Sequence, residues 1–144
     1  DPTMRLGPLP DFLSDLAGRL VQKDWFSQVP DQAIVNEYLP GQGISAHVDC
    51  VPCFGPVVAS LSLGSDCVMD FRRKADDMRQ SILAERRGLI VLTNDARYKW
   101  THAIPARLKD ALDGVIIERT RRISITFRTI VLRSKKHGTG SPSL

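Results

Sequence analysis

Hydrophobic positions along the chain change period once, shortly before residue 33. Between Asp11 and Lys23 they recur at helical spacing, with Phe12, Leu13, Leu16, Leu20 and Val21 on one stripe. Asp11, following Pro8 and Pro10, offers a side-chain N-cap. The spacing predicts one amphipathic helix over about 12–23. Beyond it the apolar runs are short and alternate, as half-buried strands do. Residues 33–39 end at the turn signal Pro40-Gly41, and 57–63 stop at Gly64. Residues 67–72 and 81–85 flank a charged connection carrying Lys74, Asp76 and Asp77, the pattern of a hairpin. Residues 88–93 form a buried-type run, and 121–132 form the longest strand candidate. One helix followed by seven or so closely spaced strands predicts a mainly β domain of the sandwich or jelly-roll kind.

Composition narrows this picture. At 144 residues the chain suits one domain, predicted over 1–132, and its 42% apolar content excludes a disordered chain. From Arg133 onward it turns basic and then Gly/Ser/Pro-rich, which predicts a flexible tail over 133–144. Basic residues exceed acidic ones by four, a balance that suits a polyanionic partner and equally a solubility device. At 6%, aromatic residues are too few for a long single-strand stacking groove. Three cysteines are an odd set, unlike a secreted disulfide framework. No apolar run approaches the roughly 18 residues of a membrane span, and no basic-then-apolar leader opens the chain. The expectation is an intracellular, cytoplasmic monomer without a membrane segment. The chain opens on Asp1 rather than Met, which predicts a trimmed form with sequence missing upstream.

Candidate chemistry begins at His47-Val48-Asp49. On an extended segment residues i and i+2 point to the same side, so one imidazole and one carboxylate can converge on a metal. On its own a His-x-Asp reads as a loop with two exposed polar side chains. His102 lies just after the apolar run 88–93. Two imidazoles and one carboxylate form the facial triad that leaves iron open positions for cosubstrate and dioxygen. In the strand 121–132, Arg122, Ser124, Thr126 and Arg128 share one face, opposite Ile123, Ile125, Phe127 and Val131. If the apolar row enters a core, the arginine row is either a solvated edge or the wall of a polar cavity. A dicarboxylate such as 2-oxoglutarate suits two arginines bidentately. Asn36 and Tyr38 also share a strand face and can hydrogen-bond a carboxylate.

The segments NEYLPGQGISAHVD, SLSLGSDCVMDF, RYKWTHAIPAR and RRISITFR, in that order, resemble the AlkB family of iron(II)/2-oxoglutarate-dependent dioxygenases. The resemblance runs from about residue 33 to 132 and implies a double-stranded β-helix, a jelly roll with the metal between two sheets. It implies Fe(II) held by His47, Asp49 and His102, with 2-oxoglutarate and O2 as cosubstrates. Arg122 matches the arginine that takes the distal carboxylate of 2-oxoglutarate, and Arg128 the second arginine of the closing motif. Asn36 and Tyr38 match the Asn-x-Tyr that helps hold the cosubstrate. Ser124 stands where repair members have Asn, in the same row. The implied activity is oxidative dealkylation of alkylated bases in DNA or RNA, with nucleic acid as partner. The alternatives are a tRNA base hydroxylase with the same centre and a non-catalytic nucleic-acid-binding jelly roll. Two departures bear on the substrate. Repair members carry acidic residues shortly after His-x-Asp, where this chain has Cys50-Val51-Pro52-Cys53. The family's recognition lid precedes the Asn-x-Tyr strand, where only 35 residues stand here, so the lid is short, replaced or cut off.

Three further features carry expectations. Cys50-x-x-Cys53 is half of a zinc site, a redox pair, or a local turn with two ordinary thiols, the last being the reading adopted. Arg72, Arg73, Lys74, Arg79, Arg86, Arg87, Arg97 and Lys99 supply the basic excess of the middle section, as phosphate contacts or as a solvated face. Tyr98 and Trp100, with Arg97, are candidate substrate contacts before His102, although Trp100 equally suits packing against the wall of the fold.

Overall fold

The computed structural model describes residues 7–131; the proposed tail over 133–144 lies outside them. Helix α1 (Asp11–Gln22) matches the predicted amphipathic segment within a residue. Its cap differs from expectation: Pro10 holds the N-cap position and Asp11 is the first helical residue, where its charge complements the helix dipole. The Pro10 carbonyl accepts from the backbone N–H groups of Leu13 and Ser14, both at 2.9 Å.

Ten strands follow: β1 (Gln32–Tyr38), β2 (Ile44–His47), β3 (Val58–Leu63), β4 (Cys67–Arg73), β5 (Arg79–Ala84), β6 (Leu89–Leu92), β7 (Trp100–Ile104), β8 (Lys109–Leu112), β9 (Val115–Glu118) and β10 (Arg122–Arg128). A single-turn helix, α2 (Asn94–Tyr98), precedes β7. One antiparallel sheet has the order β1-β10-β3-β6 and the other β2-β7-β4-β5, while β8 and β9 form a separate hairpin. The chain passes back and forth between the two sheets, which is the winding of a jelly roll. The last strand is shorter than its apolar pattern suggests: it ends at Arg128, and Val131 is exposed.

The two faces of the first sheet have different partners. Ile125, Phe127 and Ala59 pack against Leu13, Ala17 and Leu20 of α1, so the helix covers the outer face. Val58, Met69, Phe71, Leu92 and Ile104 form a second cluster between the sheets. Strand alternation then forces the other row of β10 inward, and Arg122, Ser124 and Arg128 are buried. Of the two readings open for this row, the cavity wall holds. Gly64, at φ +85°, ends β3 where a Cβ would run into the Arg121 carbonyl, so glycine lets β10 start close beside it.

Candidate active site

The inner sheet faces enclose a cavity of about 170 Å³. Its lining includes Ile34, Asn36 and Tyr38 of β1, Val58 and Ser60 of β3, His102 and Ile104 of β7, and Arg122, Ser124, Thr126 and Arg128 of β10. His47 and Asp49 enter from the end of β2 and the turn beyond it. Ile44 pairs with Ile104 and His47 with His102, so two residues lie between the pairs on β2 and one on β7. This bulge shifts the parity of β2, so that Ile44 and His47 both face the cavity.

His47, Asp49 and His102 meet there, each offering one donor atom within 4.8 Å of the others. Asp49 Oδ1 lies 3.5 Å from His47 Nε2 and 3.4 Å from His102 Nε2, and the ring centroids are 4.4 Å apart. His47 Nδ1 lies 2.8 Å from the Ser45 carbonyl oxygen; a proton donated there leaves the Nε2 lone pair facing Asp49. The other Asp49 oxygen, Oδ2, accepts from Arg128 at 3.0 Å. Burial would raise the Asp49 carboxyl, but His102, Arg128 and His47 outweigh it and hold it at about 2. Asp49 is therefore an anion at neutral pH, and with two imidazole nitrogens it makes a donor set that suits a divalent transition metal.

The other end of the β10 row is different. Arg122 is 3% exposed, and its NH2 donates to Ser62 Oγ at 2.8 Å. Its Nε and NH1 are buried without a hydrogen-bond partner, and its guanidinium carbon lies 5.4 Å from the Tyr38 ring centroid. A buried cation with two idle donors is costly on its own, and an anion in the cavity would supply the acceptors it lacks. Ser62 joins the site through Arg122, and its signal in the sequence is the alternation of VVASLSL, whose row Val58, Ser60, Ser62 faces inward.

The candidate substrate contacts fare otherwise. Arg97, Tyr98 and Trp100 are all absent from the cavity lining. Arg97 is 1% exposed and donates to four main-chain carbonyls, so its guanidinium faces the chain and not the cavity. Trp100 packs against the inter-sheet cluster with Arg73 over its ring. Several members of the basic run are neutralised locally: Arg72 pairs with Asp77, Arg73 with Asp76, and Lys99 with Asp95. Cys50 and Cys53 are joined in a disulfide rather than standing as two thiols, because the turn between them (Cys53 N–H to the Cys50 carbonyl, 3.2 Å) brings their Cα atoms to 5.3 Å.

The sequence profile of the 2OG-Fe(II) oxygenase superfamily matches residues 2–128. Over 130 residues the chain is 39% identical to uncharacterized protein L905 of Acanthamoeba polyphaga mimivirus, covering 90% of this chain and 62% of that protein. It is 35% identical to the Macaca fascicularis tRNA (carboxymethyluridine(34)-5-O)-methyltransferase ALKBH8, covering 86% of this chain and 21% of the relative. The chain thus spans less than two thirds of these relatives' length. The solved structure of OsALKBH1 shares the fold, with a TM-score of 0.62 over 84% of this chain and 64% of that one, at 19% identity. The protein belongs to the AlkB family of the 2OG-Fe(II) oxygenase superfamily. Among the described residues, no helix is long and apolar enough to cross a membrane.

Proposed function

We propose that this Fe(II)/2-oxoglutarate-dependent oxygenase oxidatively dealkylates alkylated nucleobases in DNA or RNA, with His47, Asp49 and His102 as metal ligands. The observation that carries the reading is one cavity holding three converging donors and, beside them, a guanidinium with two unpartnered nitrogens. When bound, the iron supplies dioxygen activation, coupling decarboxylation of 2-oxoglutarate to hydroxylation of a carbon attached to a base nitrogen. The chain's own groups do the rest by position. Asp49 contributes the anionic donor, and Arg128 fixes its far oxygen. Arg122 receives the distal carboxylate of 2-oxoglutarate beside Tyr38, while Asn36 and Ser124 offer further polar contacts. Val58, Met69 and Ile104 keep the inner wall apolar and limit water. A base in a duplex must leave its stack to reach this depth.

A second reading, hydroxylation of a modified tRNA base, has a specific observation behind it. The turn after Asp49 is closed by the Cys50–Cys53 disulfide and carries no acidic side chain with which to read a cationic damaged base. The name of the macaque relative points to tRNA as well, although the chain matches only 21% of it.

Anaerobic addition of Fe(II) and 2-oxoglutarate tests the centre: a visible charge-transfer band is expected, and it disappears in His102→Ala. A band that survives this substitution refutes the ligand set. Formaldehyde release from a methylated oligonucleotide, assayed beside hydroxylation of modified tRNA, separates the two substrates. Turnover of 2-oxoglutarate with neither product overturns the nucleic-acid reading.

A further inference from the structure

We propose that Arg97 is a positioning residue for the metal centre: its buried guanidinium ties the turn after Asp49 to the segment carrying His102. The inference rests on the ligand set above and adds a residue outside the cavity. Arg97 lies on α2, five residues before His102, and is among the most buried side chains described. It makes no ion pair among the described residues. Instead NH1 donates to the Asp49 carbonyl at 2.8 Å and Nε to the Gly55 carbonyl at 3.1 Å. NH2 donates to the carbonyls of Phe54 at 3.3 Å and Cys50 at 3.4 Å.

All four acceptors belong to the turn 49–55, so a single planar fork sets the path of that turn. A lysine ammonium, a point donor on a flexible stem, cannot hold four carbonyls spread along one plane. Asp49 is consequently gripped twice. Arg97 holds its main-chain carbonyl, and Arg128 holds Oδ2 from the opposite sheet. Only Oδ1 is left to face the imidazoles. Either grip alone leaves a rotation by which the carboxylate can turn away; together they fix its distance from His102. The far end of the turn is anchored independently, since Gly55 N–H donates to the Thr129 carbonyl and Val131 N–H to the Cys53 carbonyl. Loss of Arg97 therefore loosens the Asp49 end more than the whole turn. Burying this cation against neutral carbonyls costs stability relative to a packed apolar side chain, and the return is geometric.

Co(II) serves as the test ion, because its visible spectrum reports ligand geometry independently of turnover. Arg97→Lys is expected to weaken Co(II) binding about 10–100-fold, the range for groups that orient metal ligands, and to alter the spectrum. Tyr98→Leu, which removes the ring 4.9 Å from the Arg97 guanidinium, is a milder variant expected to shift affinity severalfold in the same direction. Arg119→Lys, which disturbs a buried arginine of the β8–β9 region, serves as the stability control: it lowers the melting temperature and leaves Co(II) affinity and spectrum unchanged. Wild-type affinity and spectrum in both Arg97→Lys and Tyr98→Leu overturn the positioning role while leaving the ligand set intact. Should Arg97→Lys not fold, Tyr98→Leu decides alone. A wild-type protein that does not bind Co(II), or binds it equally well as Asp49→Asn, instead overturns the metal-centre reading and this inference with it.

Discussion

Asp49 and Asp110 are both buried aspartates held by arginine, and both carboxyls are lowered below the ordinary carboxylate value. Their surroundings nevertheless end differently. Asp110 Oδ1 accepts from Arg107 Nε at 2.6 Å and Arg119 NH2 at 2.8 Å. Its Oδ2 accepts from Arg119 Nε at 2.7 Å and the Val68 N–H at 3.0 Å. That cluster is closed, with every strong acceptor site taken. Asp49 has Arg128 on Oδ2 only, and Oδ1 faces two imidazole nitrogens at 3.4 and 3.5 Å, longer than charge-assisted hydrogen bonds run. Burial, an arginine partner and a lowered pKa are thus common to a structural clamp and a candidate metal site. What separates them is the oxygen left over.

The same substitution at the two positions gives the strongest way to break this contrast. Asp49→Asn keeps an oxygen for Arg128 but removes the anionic donor; metal-dependent turnover of 2-oxoglutarate falls by at least about 100-fold, beyond the range seen when only outer groups are lost. Its melting temperature falls as well, because the buried Arg128 loses its anion. Asp110→Asn turns an amide N–H toward arginine donors and costs about 3–5 kcal/mol of stability, as losing one partner of a buried pair does. Metal affinity of the folded fraction is unchanged. Metal titration of both variants suffices, and the contrast collapses if Asp49→Asn keeps its metal affinity or Asp110→Asn loses it.

The Asp110 effect also carries a sign in pH. Burial would raise this carboxyl, but Arg119, the Val68 N–H and Arg107 outweigh it, so its folded value lies below 3.8. Its contribution is fully present above pH 3.8 and is lost as pH falls from there through the lowered value. The stability gap between wild type and Asp110→Asn should therefore narrow only in acid. A gap that narrows at neutral pH counts against the closed cluster.

Arg122 sharpens the contrast from the side of the cations. With Nε and NH1 unpartnered, it is the open counterpart of Arg119. Arg122→Met is expected to leave the ligand-free protein as stable as wild type or more so, because an under-satisfied buried charge is removed. It should weaken 2-oxoglutarate binding about 10–100-fold, the worth of hydrogen bonds to a charged group. Calorimetry with and without 2-oxoglutarate checks both halves. A large loss of ligand-free stability would mean that Arg122 is structural.

These contrasts were partly legible in the sequence. Alternation in β10 put Arg122 and Arg128 on one row, and i, i+2 spacing paired His47 with Asp49, because both depend on strand geometry alone. Burial of that row was not legible, since it depends on α1 covering the opposite face. Strands β2 and β7 were missed as elements: ISAH and WTHAI are short, and the bulge between them breaks the period that pattern reading needs. The β8–β9 hairpin had a usable signal, Asp113-Gly114, whose residues take φ +50° and +77°. Arg97 gave none, because carbonyl acceptors belong to every residue and only the folded turn brings four of them together.

The smallest expected effect lies where the same chemistry is exposed. Arg72 NH1 donates to Asp77 Oδ1 at 2.9 Å across the β4–β5 connection, with the aspartate side chain 70% exposed. Asp77 sits at φ +57°, so alanine would add backbone strain to the loss of charge; asparagine tolerates that region and isolates the electrostatics. Asp77→Asn should change stability by no more than about 0.5 kcal/mol, and salt should erase even that. The pair resembles Arg119–Asp110 in chemistry and distance but keeps its water, so neither ion depends on the other for solvation. A loss comparable to that of Asp110→Asn would show that an arginine–aspartate contact is sufficient for stability in this fold. It would remove burial as the reason why Asp110 is structural and Asp49 is free to take a ligand.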